Sequence, residues 1–87
     1  MKSWFVYILE CRDGTFYTGV TDNVERRVAM HNAGRGARYT KGRTPVVLRF
    51  VEKVVGRGEA QKREAEIKRM SRKEKVEMFI VPEGTQP

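Results

Sequence analysis

Between Phe5 and Val20 the chain runs apolar, then polar, then apolar again: Phe5-Val6-Tyr7-Ile8-Leu9, Cys11-Arg12-Asp13-Gly14-Thr15, and Phe16-Tyr17-Thr18-Gly19-Val20. Two β-branched and aromatic runs around an Asp-Gly predict a hairpin. If Asp13-Gly14 were a two-residue turn, Tyr7 would pair Val20, Tyr17 would pair Glu10, and the two phenols would point to opposite faces. A three-residue turn over Arg12-Asp13-Gly14, closed by Gly14 in the left-handed region, pairs Leu9 with Tyr17 and Tyr7 with Gly19. Both phenols then share one face as diagonal neighbours. We adopt this second register. Gly19 weakens a strand and so marks a place of close approach.

Downstream, Asp22-Asn23-Val24-Glu25 reads as a capping box, with an acceptor at Asp22 and a carboxylate three positions on. The helix it opens should run to about Asn32, with Gly34 as its stop. Val24, Val28 and His31 form its apolar stripe and Arg27 flanks it, so Arg27 and His31 lean toward the sheet. Taken alone, the pair reads as a boundary, with an aliphatic stem laid over the core beside a half-buried imidazole. Residues 33–45 hold three glycines, four basic side chains and Tyr39, a composition that predicts a loop. A third strand follows from Val46 to Val55. A second helix is expected from about Arg57 through Arg69, with Ala60, Glu64, Ile67 and Ser71 on its inner stripe. Glu59, Glu66, Glu74 and Glu77 fall on solvated positions. Ser71-Arg72-Lys73-Glu74 is another capping box. It opens a short helix whose Val76, Phe79 and Ile80 should pack back, with Pro82 as its stop and 83–87 fraying.

Eighty-seven residues suffice for one small domain, expected over 1–82 with a tail at 83–87. The absence of a long apolar run predicts no membrane span, and no leader pattern is visible at the start. The single Cys11 allows neither a disulfide framework nor a cysteine metal cluster, and fits a cytoplasmic setting. Eighteen Lys and Arg against eleven Asp and Glu leave a net charge of +7. On so small a body that points to a polyanionic partner. The loop is the natural contact. Arg35, Arg38, Lys41 and Arg43, with Tyr39, Thr40 and the backbone amides, suit a phosphate backbone and an unpaired base.

Glu64 changes the picture further. A carboxylate in an apolar stripe costs several kcal/mol unless it is paired, hydrogen-bonded or metal-bound. Its partner could be Arg27, as a buried ion pair, or a divalent cation. Val6-Tyr7, then Tyr17-Thr18-Gly19, then Arg27 and His31 on one helix and Glu64 on the next, resemble in order and spacing the GIY-YIG nuclease domain. The similarity is to the small stand-alone bacterial group and spans roughly residues 3 to 80. It extends to Ala37-Arg38-Tyr39-Thr40, Gly42-Arg43-Thr44-Pro45 and Glu64-Ala65-Glu66-Ile67-Lys68.

The resemblance implies that Tyr17 deprotonates or positions the attacking water and that Tyr7 assists at the same phosphate. It implies that Arg27 neutralises charge on the phosphorane-like transition state, and that Glu64 holds one Mg²⁺ or Mn²⁺. His31 falls where other branches carry tyrosine or histidine. The first motif lacks its glycine, reading Phe5-Val6-Tyr7, and Val20 stands where the excision-repair branch has a lysine. The expected fold is α+β: a three-stranded antiparallel sheet flanked by helices, in the order β-β-α-β-α-α. The expected function is metal-dependent endonuclease action on DNA, the sequence itself leaving DNA and RNA undistinguished, selective for structure over sequence and serving repair or processing. The rival readings are a non-catalytic nucleic-acid binder and a nuclease module that works only with a partner protein.

Overall fold

The computed structural model describes residues 2–79; the expectations for Ile80, Pro82 and the 83–87 tail lie outside them. Its elements are β1 (Ser3–Glu10), β2 (Phe16–Thr21), α1 (Val24–Asn32), β3 (Val47–Val55), α2 (Arg57–Lys68) and α3 (Arg72–Phe79). The strands form one antiparallel sheet in the order β2-β1-β3. This is the expected α+β fold with the expected element order.

The hairpin takes the three-residue turn. Cys11 N–H donates to the Thr15 carbonyl at 2.8 Å, Gly14 N–H donates to the Cys11 carbonyl at 2.9 Å, and Gly14 sits at φ 85°. Asp13 Oδ1 accepts from both the hydroxyl and the amide of Thr15, at 2.6 and 3.1 Å, which stiffens the turn. The register that results pairs Tyr7 with Gly19 and Leu9 with Tyr17.

β1 is the central strand, and its Val6-Tyr7-Ile8-Leu9 run is buried on both faces. Val6 and Ile8 point toward α2, where Ala60 and Ile67 meet them, with Trp4, Phe50, Val54 and Phe79 packed around. Tyr7 and Leu9 point the other way, toward Val46, Cys11, Tyr17 and Val28 of α1. Each fully buried aliphatic side chain contributes roughly 1.5–3 kcal/mol. α3 closes the first layer through an edge-to-face contact of Phe79 with Phe16, centroids 5.2 Å apart. Val76 is half-buried on the same helix. On the α1 face, cover stops short of β3, so Val51, the cross-strand partner of Tyr7, is 42% exposed. β3 carries one extra residue, Arg49, because Ile8 pairs Phe50 while Leu9 pairs Leu48.

Two local expectations are corrected. The N-cap of α1 is Asn23, not Asp22: its side chain accepts from Arg26 N–H at 3.1 Å. Asp22 is drawn away to Lys2 Nζ, 2.7 Å distant. Ser71 does not extend the inner stripe of α2, which ends at Lys68. It is exposed and caps α3 instead, its hydroxyl accepting from Glu74 N–H while Glu74 Oε1 accepts from Ser71 N–H.

The cap assignment has a direct check in urea unfolding. Asn23→Ala should lower stability by about 1 kcal/mol, whereas Asp22→Ala should leave the midpoint nearly unchanged.

Candidate active site

The site is built on the face where the register brings Tyr7 opposite Gly19. A Cβ at Gly19 would lie 2.5 Å from Tyr7 Oη, 2.6 Å from its Cζ and 3.1 Å from Tyr17 Cε2. The glycine is therefore the space in which the Tyr7 phenol lies, and the Tyr17 ring edge borders it. The two tyrosine rings are 6.4 Å apart, and each lies near the imidazole of His31, at 6.0 Å from Tyr7 and 5.3 Å from Tyr17. Tyr17 is half-buried, and Tyr39 of the loop stacks on it at 6.0 Å and 24°.

His31 is fully buried, deeper than the boundary position its helical stripe suggested. Its Nε2 meets Tyr7 Oη at 3.0 Å and its Nδ1 meets Thr40 Oγ1 at 2.7 Å. Donor and acceptor roles follow from the single proton of the Thr40 hydroxyl. That proton goes to the Ala37 carbonyl, 2.9 Å away, which can only accept. With this assignment Thr40 Oγ1 accepts from Nδ1–H, and Nε2, unprotonated, accepts from the Tyr7 hydroxyl. The weakest alternative contact, Ala37 N–H to Nδ1 at 3.4 Å, is the one given up. Gly36 lets the loop close on the ring, since a Cβ there would stand 2.2 Å from Nδ1.

The electrostatics agree with a neutral pair. Burial, with the nearby Arg27 charge adding to it, pushes His31 down to about 4. Burial pushes the Tyr7 phenol up to about 12, against the opposing pull of the Arg27 guanidinium. Tyr7 is thus a proton donor to His31 at neutral pH, held in place and not free to act as a base.

Arg27 is half-buried on α1 and lines a cleft of about 250 Å³ with Trp4, Val20, Asn23 and Arg26. Among the described residues it forms no ion pair. The buried Arg27–Glu64 pair considered from sequence is therefore absent. Glu64, its side chain 21% exposed, pairs with Lys68 one turn along α2, Oε2 to Nζ at 3.3 Å. Its carboxylate is partly open to water, which removes the severe desolvation that a core position would impose. Among the described residues, no three His, Cys, Asp or Glu side chains cluster as a metal site. One open carboxylate still suits Mg²⁺ or Mn²⁺, ions that can keep most of their own water shell.

The loop residues divide. Arg35, Arg38 and Lys41 are exposed. Arg43 is committed: Nε donates to Asp13 Oδ2 at 3.1 Å, a terminal nitrogen donates to the Tyr39 carbonyl at 2.6 Å, and the guanidinium lies 4.3 Å from the centre of the Tyr39 ring. Thr40 is fully buried and faces His31 instead of the surface. Sequence reasoning assigned no role to Gly36, whose signal was a second glycine two residues past Gly34, or to Ala37, which stood only as part of the Ala37-Arg38-Tyr39-Thr40 motif. It also missed Lys68 and Lys75, which with Phe16, Tyr17, Thr18 and Tyr39 line a second cleft beside the site.

A three-stranded antiparallel sheet in the order β-β-α-β-α-α, with Tyr7, Tyr17 and His31 meeting beside β1, defines the class: a small α+β domain with a candidate site on one face. The model of the GIY-YIG catalytic domain matches residues 3–77, and the chain belongs to that family. A UPF0213 protein of Halobacterium salinarum is 57% identical over 74 residues, 85% of this chain and 96% of its own length. One of Staphylococcus haemolyticus is 53% identical over 79 residues, 91% of this chain and 96% of its own length. The solution structure of an E. faecalis protein superposes with a TM-score of 0.60 at 44% identity, covering 88% of this chain and 82% of that one. The UPF0213 protein of Bacillus halodurans gives 0.54, also at 44% identity, over 86% and 80%.

His31 makes the domain acid-sensitive in a defined window. Its folded pKa lies below the ordinary 6.5, so between pH 6.5 and about 4 the unfolded chain binds the extra proton. Stability should fall as pH drops through that range, by roughly 3 kcal/mol at most. Urea unfolding from pH 4 to 8 should show this slope in the native protein and a flatter one in His31→Gln.

Proposed function

We propose that this protein is a divalent-metal-dependent endonuclease that hydrolyses phosphodiester bonds in DNA, selects structure over sequence, and serves DNA repair or processing. The observation that carries the reading is the meeting of Tyr7 and Tyr17 on one sheet face, through Gly19, with His31 of α1, and the Arg27 charge felt by both Tyr7 and His31. The family supports a nuclease domain acting on nucleic acid. The +7 charge and the exposed Arg35, Arg38 and Lys41 supply sequence-independent attraction to phosphates. No base-reading element stands out, which favours recognition of shape, and the free thiol of Cys11 suits a cytoplasmic setting.

The roles divide by exposure. Tyr17 Oη, on the half-buried ring that lines the open cleft, is the oxygen an attacking water can reach. It positions that water or takes its proton. Tyr7 keeps its proton on Oη, donated to His31 Nε2, and its ring borders Tyr17. Arg27 neutralises charge that develops on the non-bridging phosphoryl oxygens. Glu64 would hold the cation, which when bound supplies positive charge to a phosphoryl oxygen and to the leaving oxygen.

The test is a panel of labelled DNA and RNA structures, branched, nicked and single-stranded, incubated with Mg²⁺, Mn²⁺ or EDTA. Cleavage of DNA should require the metal. Tyr17→Phe, Arg27→Ala and Glu64→Gln should each slow it by at least about 10²-fold. Because Glu64 pairs only with a solvated lysine, Glu64→Gln should cost less than about 1 kcal/mol of stability. A folded Glu64→Gln that cuts at the parent rate would remove the metal assignment.

A further inference from the structure

The Glu64–Lys68 pair lies where two ligands would compete. Lys68 Nζ stands 3.3 Å from Glu64 Oε2, on the carboxylate that would also hold a hydrated divalent cation. The two positive charges repel across that one carboxylate, so an ion at Glu64 is favoured when Lys68 turns away. The lysine is free to do so, being 55% exposed on a flexible stem. It also has a destination. Lys68 is one wall of the cleft formed with Phe16, Tyr17, Thr18, Tyr39 and Lys75. None of those lining residues is acidic, and the only charged ones are the two lysines, so the cleft suits an anionic group flanked by apolar or aromatic surface. A nucleotide phosphate has that chemistry, and Tyr17 in the wall sets the cleft beside the reacting position.

We propose that Lys68 is a switch between the two ligands. With no nucleic acid bound it occupies Glu64 as an internal counter-ion and weakens metal binding. When a nucleic-acid strand enters the Tyr17–Tyr39–Lys75 cleft, Lys68 turns to its phosphate and releases Glu64. Metal and nucleic acid therefore bind with positive coupling, and the ion is gathered chiefly on the substrate-loaded protein. This inference rests on the assignment of Glu64 as the metal ligand.

The experiment measures Mn²⁺ affinity from water-proton relaxation and from NMR broadening of signals around Glu64, in the native protein, Lys68→Met and Glu64→Gln. Lys68→Met keeps the stem and removes the charge at an exposed position. Without nucleic acid it should bind Mn²⁺ roughly fivefold more tightly, the scale of losing one partly exposed ion pair. A second arm titrates a short single-stranded DNA into Tyr17→Phe and Tyr17→Phe/Lys68→Met, which prevents cleavage. Mn²⁺ should tighten DNA binding in the first, and that coupling should shrink by about the same fivefold factor in the second. Unchanged Mn²⁺ affinity in Lys68→Met, or undiminished coupling, would overturn the switch while leaving Glu64 as the ligand. Native-like Mn²⁺ binding by Glu64→Gln would instead overturn the metal assignment and the switch together.

Discussion

A hydrogen bond of 3.0 Å between the Tyr7 phenol and His31 Nε2, closed to solvent, ties the central strand to the first helix. Buried polar groups are costly unless satisfied, and satisfied ones fix a single arrangement. Here the chain of donors is complete. Tyr7 gives its proton to His31, His31 gives Nδ1–H to Thr40, and Thr40 gives its own to the Ala37 carbonyl. No buried side-chain nitrogen or oxygen among the described residues lacks a partner. Strand, helix and loop are thereby set against one another at the place where the tyrosines meet.

The two faces of β1 do different work. The Val6 and Ile8 face packs against Ala60 and Ile67 and provides the apolar burial that holds the domain together. The Tyr7 and Leu9 face gives up part of that burial to a phenol and an imidazole. Two glycines make the trade feasible: Gly19 leaves room for the Tyr7 ring and Gly36 lets the loop close on His31. Around this centre sit Tyr17 at the cleft wall, Arg27, which forms no ion pair among the described residues, and Glu64, whose ion pair among them is with Lys68.

Much of the architecture was legible in the chain because it rests on local chemistry. Asp13-Gly14 between the apolar runs marked the hairpin and allowed two turns; the adopted three-residue turn, which puts both phenols on one face, is the one formed. Gly34 marked the end of α1, and Ser71 with Glu74 marked the start of α3. The cap of α1 was misread by one residue because Lys2, distant in sequence, competes for Asp22. The fate of Glu64 was equally non-local in appearance, yet its partner proved to be Lys68, one turn away, because the α2 stripe loses cover at that position. Thr40 read as a surface residue from the composition of its loop. Its burial follows from loop closure over His31, which no pattern of hydrophobic spacing encodes.

The Tyr7–His31–Thr40 arrangement depends on how His31 is protonated, and ¹⁵N-resolved NMR of the imidazole reads that directly. The predicted result is one neutral tautomer at and above neutral pH, with the proton on Nδ1 and Nε2 showing the shift of an unprotonated acceptor from Tyr7. An imidazole protonated on Nε2, or one averaging between tautomers, would contradict the relay from Tyr7 to Thr40 and the fixed site built upon it.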